Sequence, residues 1–187
     1  MVLDTGVPAV GDDRWDLEFT LNGKPVSAAV DPSLTLLDAL RMTFGLTGTK
    51  GACTEGECGS CTVMLDGVPV CACLMLAPQA HGRDVLTIEG LADSDGTLHV
   101  LQRKFVEMAA VQCGYCTPGL IMAAKDILDR MPGCGEEVFA KALEGNICRC
   151  TGYSKIFEAV REAYRETHGE EVEPAAVAAD FATPRPV

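Results

Sequence analysis

The sequence predicts an α+β protein built in two parts. Three observations predict it. Through about residue 92 the apolar residues alternate and are punctuated by two-residue turns. From about residue 93 to 168 the apolar spacing is helical. Each part carries its own set of four spaced cysteines. The chain of 187 residues has room for one medium domain or two small ones.

Residues 1–13 are polar with glycine and proline, and read as a flexible arm. In the next segment Trp15, Leu17, Phe19 and Leu21 point one way, and Asp16, Glu18 and Thr20 the other, which predicts a half-buried strand. Asn22-Gly23 is a type I′ hairpin signal, so Lys24 to Val30 is the returning strand. Asp31-Pro32-Ser33 offers a helix start, Leu34, Leu37 and Leu40 continue at helical spacing to Phe44, and Gly45 ends the helix. A cysteine-rich loop follows. Cys61–Leu65 and Val68–Cys73 then form a second hairpin turning at Asp66-Gly67, and Val85 to Glu89 is a last short strand. These elements make a small α+β domain over residues 14–92.

In the second part the spacing predicts helices near 98–111, 117–130, 136–146 and 154–167, with breaks at Gly114, Pro132-Gly133 and Gly152. Four helices with short connections predict a compact bundle over residues 93–168. Thr117-Pro118 reads as an N-cap followed by proline at N1. Residues 169–187 are Glu-rich, then Pro- and Ala-rich, and read as an extended tail.

Cys53, Cys58 and Cys61 are spaced C-x4-C-x2-C, and Cys73 follows after eleven more residues. Three thiols crowded on one loop with a distant fourth is the plant-type [2Fe–2S] pattern. A loop wrapped around a flat two-iron cluster must turn sharply and bring amides to the sulfides. Gly51, Gly56 and Gly59 sit where positive φ and close approach are expected. A structural zinc site is the alternative, although zinc ligands usually come as two close pairs. The second set is Cys113 and Cys116, then Cys148 and Cys150 after thirty-one residues. Each pair lies at a helix end, where helix N-termini would stabilise a negatively charged cluster. Paired cysteines also suit zinc, so spacing leaves zinc open here.

Composition narrows the function classes. Fifteen basic against 27 acidic residues give a formal charge of −12, which disfavours nucleic acid as a partner. Met1 to Asp16 has no signal-peptide pattern and no run approaches eighteen apolar residues, so the reading is cytoplasmic with no membrane span. A cytoplasmic chain with ten cysteines more often binds metal than forms disulfides. No Ser–His–Asp set, phosphate loop or dinucleotide fingerprint is visible, so no catalytic residue is assigned.

Three stretches carry a resemblance. Gly48-Thr49-Lys50-Gly51-Ala52-Cys53 with Cys58-Gly59-Ser60-Cys61-Thr62-Val63 resembles the iron–sulfur subunit of the molybdenum hydroxylases. So do Gln112-Cys113-Gly114-Tyr115-Cys116-Thr117-Pro118-Gly119 and Gly145-Asn146-Ile147-Cys148-Arg149-Cys150-Thr151-Gly152-Tyr153. This is the family of xanthine dehydrogenase, aldehyde oxidoreductase and carbon monoxide dehydrogenase, and the likeness runs through residues 14–165. It implies a β-grasp ferredoxin domain and a four-helix domain, each holding one [2Fe–2S] cluster. It selects Cys53, Cys58, Cys61 and Cys73, and Cys113, Cys116, Cys148 and Cys150, as ligands. It implies a large partner subunit holding the molybdenum–pterin cofactor, approached by Gln112 and Cys150, and FAD on a medium-sized subunit. The assembly it implies is a heterotrimer or a dimer of heterotrimers in which this chain passes electrons singly. A free two-cluster ferredoxin and a zinc-stapled interaction module are the alternatives.

Two cysteines remain. Cys71, two residues before Cys73, would share its side of a strand, so geometry alone could exchange them. The resemblance selects Cys73 and leaves Cys71 as a buried structural thiol. Cys134, between two glycines, reads as an exposed loop thiol. His81, His99 and His168 read as surface or capping residues, and Glu55 and Glu57 as a solvated rim.

Overall fold

The computed structural model describes residues 14–169. The expected arm over residues 1–13 and all but the first residue of the expected tail lie outside them. Among the described residues, five strands form one mixed sheet in the order β2-β1-β5-β3-β4. Strands β1 (Trp15–Leu21) and β2 (Lys24–Val30) are an antiparallel hairpin in which Leu21 faces Lys24. Asn22 and Gly23 both have positive φ, as a type I′ turn needs. Strands β3 (Thr62–Leu65) and β4 (Val68–Cys71) form the second hairpin, turning on positive-φ Asp66 and Gly67. Strand β5 (Asp84–Leu86) lies between the hairpins, parallel to β1 and antiparallel to β3.

A short helix α1 (Leu36–Asp38) runs into a π-turn over Ala39–Thr43 and covers one face of the sheet. Leu36, Leu37 and Leu40 bury there with Leu17, Phe19, Val63 and Leu65. The second part holds α2 (Val100–Glu107), α3 (Thr117–Arg130), α4 (Glu136–Leu143) and α5 (Ser154–His168). Their shared core includes Leu101, Phe105, Leu120, Ile127, Phe139 and Tyr164.

Strand β3 is buried along its whole length, and its alternation joins the two halves. Val63 and Leu65 face the sheet's own core while Met64 enters the helical core. Burying a side chain of that size stabilises by roughly 1.5–3 kcal/mol, so the α3 side of the sheet is a packed face. Across the helices, Arg103 and Lys104 of α2 pair with Glu166 of α5. Asp126 is buried and paired within α3 to Arg130.

Several sequence expectations change. The first helix starts at Thr35, whose hydroxyl accepts from the Asp38 amide at 3.1 Å. Asp31 instead closes a turn on the Ser33 amide at 2.8 Å, its short carboxylate competing for a nearer donor. In helix α3 Cys116 occupies the N-cap position without a side-chain capping bond, so Thr117 is N1 and Pro118 N2. The expected strand Val85–Glu89 is Asp84–Leu86 followed by a 3-10 turn over Ile88–Gly90. Helices expected at 98–111 and 136–146 are shorter, since Ala109 takes positive φ and the 145–147 backbone turns toward the sheet domain. The second hairpin stops at Cys71, and Cys73 lies in the following turn. Cys134 is buried, because its amide donates to the Tyr164 hydroxyl at 3.0 Å beneath α5.

Candidate iron–sulfur centres

The first set of thiols lies on the loop between α1 and β3 and on the turn after β4. The loop turns at Thr54, Gly56 and Gly59, all with positive φ. Gly51, expected among them, is not; a Cβ there would make one tight contact, 3.1 Å from Leu37 Cδ2. Cys61 and Cys73 are buried, and Cys53 and Cys58 half-buried. The Glu55 amide donates to Cys53 Sγ at 3.4 Å. That amide, with the Cys58 thiol and amide, lowers the Cys53 thiol to about 7. Burial and the neighbouring Cys61 push Cys73 up to about 11. Cys61 is raised by the Cys71 thiol and by burial.

In the second set, Cys113 and Cys116 precede α3, and Cys148 and Cys150 precede α5. Cys113 and Cys150 are exposed and their sulfurs are 3.5 Å apart. Cys148 is buried and Cys116 half-buried. Cys116 is pushed up to about 12 by burial and by the Cys148 thiol beside it. Cys148 is lowered to about 7: burial opposes this, but the Thr151 hydroxyl at 3.1 Å and amide at 3.4 Å prevail. The four thus fall into an outer pair, Cys113 with Cys150, and an inner pair, Cys116 with Cys148.

The two sets meet. Ile147, next to Cys148, donates its amide to the Cys58 carbonyl at 2.9 Å. Tyr115, between Cys113 and Cys116, donates its hydroxyl to the Gly51 carbonyl. Buried Asn146 donates to the Gly59 carbonyl at 2.9 Å. Sequence reasoning did not single out Asn146, Tyr115 or Gly119 for this contact, and their local pattern gives no sign of partners 60 to 87 residues away.

Gln112 is exposed beside Cys113, on the outer edge of the second set. His99 caps α2, His81 accepts from the Glu18 amide at 3.2 Å, and His168 bonds the Leu128 carbonyl at 2.8 Å. Glu55 and Glu57 are exposed. Among the described residues, no group of three or more His, Cys, Asp or Glu is drawn tightly enough around one point to hold a single metal ion. None of the helices described is long and apolar enough to cross a membrane.

The residues fit [2Fe–2S] clusters. Such a cluster takes two thiolates on each of two irons, and the thiols come in pairs with amides donating to sulfur. This makes the protein an iron–sulfur electron carrier. Residues 19–85 match the family described as "2Fe-2S iron-sulfur cluster binding domain", and residues 87–161 the one described as "[2Fe-2S] binding domain". The nicotinate dehydrogenase small FeS subunit of Eubacterium barkeri is 51% identical over 151 residues, 81% of this chain and 96% of that one. Quinoline 2-oxidoreductase from Pseudomonas putida 86 has a solved chain of similar fold, with a TM-score of 0.77 and 42% identity over 83% of this chain and 98% of that one. The aldehyde oxidoreductase of Desulfovibrio desulfuricans gives a TM-score of 0.78 and 38% identity over 83% of this chain, but over only 17% of that longer chain. The chain belongs to the family of iron–sulfur small subunits of the molybdenum hydroxylases, and it is the electron-transfer subunit of an oxidoreductase complex.

Proposed function

We propose that the chain carries electrons between a molybdenum–pterin site on a large partner subunit and FAD on a medium-sized one. The complex is a cytoplasmic heterotrimer or a dimer of heterotrimers. Residues 14–92 are a β-grasp domain holding one [2Fe–2S] cluster on Cys53, Cys58, Cys61 and Cys73. Residues 93–168 are a four-helix bundle holding the other on Cys113, Cys116, Cys148 and Cys150. Each cluster supplies one-electron redox chemistry when bound.

The observation that carries this reading is the hydrogen bond from the Ile147 amide to the Cys58 carbonyl, which joins the two thiol sets backbone to backbone. It gives the helical set an inner side facing the sheet domain. The opposite side, with exposed Cys113, Cys150 and Gln112, stays open for a partner's cofactor. Gln112 offers a donor and an acceptor to a pterin edge there. The chain's residues therefore position the clusters, while burial and amide donation to sulfur tune them.

Gly56 supports Cys73 over Cys71 as the fourth ligand. Its amide donates toward Cys73, whereas its carbonyl faces the Cys71 sulfur at 3.6 Å and would repel a thiolate there; against this, the Cys61 thiol lowers Cys71 while burial raises Cys73. Purified full chain should hold about four irons and four labile sulfides. Cys73→Ser should lose one centre and Cys71→Ser neither. Zinc in place of iron, or the opposite result for the two serines, refutes the assignment. Full redox activity at the mass of a lone chain would instead mark a free ferredoxin.

A further inference from the structure

Gly59 lies in the first thiol loop, one residue after Cys58 and two before Cys61. Its carbonyl accepts from the Thr62 amide at 3.1 Å, the Thr62 hydroxyl at 2.7 Å and Asn146 Nδ2 at 2.9 Å. Asn146 stands two residues before Cys148 and is only 5% exposed. Its second amide hydrogen is directed at Thr62 Oγ1, 3.4 Å away, and its own backbone amide is held by the Leu143 carbonyl at 2.9 Å. On the other side Gly119, three residues after Cys116, packs so closely on Gly59 that no Cβ fits between them. Gly59 is thus gripped by residues lying two or three positions from the inner thiols of the second set.

Asparagine is the side chain this position requires. It is short enough to sit in the buried gap, and its NH2 supplies two donors for two facing oxygens. Aspartate would set an acceptor against the Gly59 carbonyl. Alanine would leave that carbonyl bonded to Thr62 alone, so the loop stays satisfied but keeps only the Ile147–Cys58 bond and the Gly119 packing to hold it to its neighbour.

We propose that Asn146 is the positioning residue that sets the separation of the two clusters, and with it the rate of electron exchange between them. The inference rests on the two-cluster reading above. Each exchange takes one electron from one cluster and gives it to the other; no bond forms and no proton is carried. The hydrogen bonds of the Asn146 side chain go to the Gly59 carbonyl and Thr62 Oγ1 and not to a sulfur, so its loss removes no cluster ligand. What changes is the attachment of the Gly59 loop to the Cys148 loop, and electron exchange falls steeply with the gap.

The test compares full-length Asn146→Ala with the natural chain, both loaded with clusters and fully reduced by dithionite. Iron content and the two separate paramagnetic signals report whether the clusters are bound. The magnetic splitting between them reports their separation, since dipolar coupling falls with the cube of distance. Asn146→Ala should keep four irons, show a smaller splitting, and exchange electrons several-fold more slowly. Should Asn146→Ala fail to load iron, the same-sized Asn146→Asp carries the same expectation. Loaded variants with unchanged splitting and exchange rate would overturn the proposal, even if they melt earlier. A natural chain that loads no iron would overturn the two-cluster reading itself.

Discussion

Gly119→Ala isolates the contact between the two halves, because local and tertiary effects have opposite signs there. In an exposed helix interior this change stabilises by about 1 kcal/mol, from propensity alone. At Gly119 the added Cβ would lie 3.1 Å from the Gly59 carbonyl carbon and from Ser60 Cα, and nearer still to the Gly59 oxygen. These are backbone atoms, and the oxygen is already fixed by Thr62 and Asn146. No rotamer change can relieve the clash, so the cost falls at the upper end of overpacking, about 3 kcal/mol. Subtracting the propensity gain leaves a net loss of about 2 kcal/mol. For a chain of this size that lowers the melting temperature by about 4–8 °C. Thermal unfolding of the iron-loaded full chain, scanned at one fixed rate, would measure it. A melting temperature equal to or above that of the natural chain would show that the halves do not abut at Gly59.

Two further outcomes follow from single residues. His99 Nδ1 accepts from the Leu101 amide at 3.3 Å, and burial, aided by Lys125, holds its pKa below the ordinary 6.5. The unfolded chain therefore takes up the proton first. The cap's contribution is complete above about pH 6.5 and is lost as pH falls through the lower folded value. His99→Ala should cost about 1 kcal/mol in denaturant unfolding at pH 7.5, and the difference should shrink by pH 5; a gap that does not change with pH refutes the neutral cap. Gln112→Ala should leave both clusters bound but slow reduction of the helical cluster by substrate in the assembled complex. Loss of one or two hydrogen bonds would weaken the pterin's hold by about 1–3 kcal/mol. Stopped-flow absorbance reads this, and unchanged rates with unchanged cofactor content would remove Gln112 from the entry site.

Legibility in the sequence followed the range of each interaction. The β1–β2 and β3–β4 hairpins were readable because alternation and the Asn22-Gly23 and Asp66-Gly67 turns are properties of adjacent residues. Helix ends were read less well. Thr117 has the chemistry of an N-cap, yet Cys116, two residues after the positive-φ turn at Gly114, takes that place. Cys134 shows the same limit: flanking glycines suggested exposure, but Tyr164, thirty residues on, covers it and donates to the Met131 carbonyl at 2.8 Å.

By itself the sequence determined that this protein carries two sets of four spaced cysteines, one in a strand-rich half and one in a helical half; spacing pointed to [2Fe–2S] for the first and left zinc open for the second. Ligand spacing could be read because a loop around a cluster is a local object whose turns and donors lie within a few residues of the sulfurs. Only the tertiary structure decided how the sets face each other. The Ile147–Cys58 bond, the grip of Asn146 on Gly59 and the close approach of Gly119 join residues 60 to 89 positions apart. No periodicity encodes such pairs; they exist because β3 is buried on both faces and draws α3, with the loop before α5, against the first thiol loop. The same packing leaves Cys113 and Cys150 at the surface and Cys148 within.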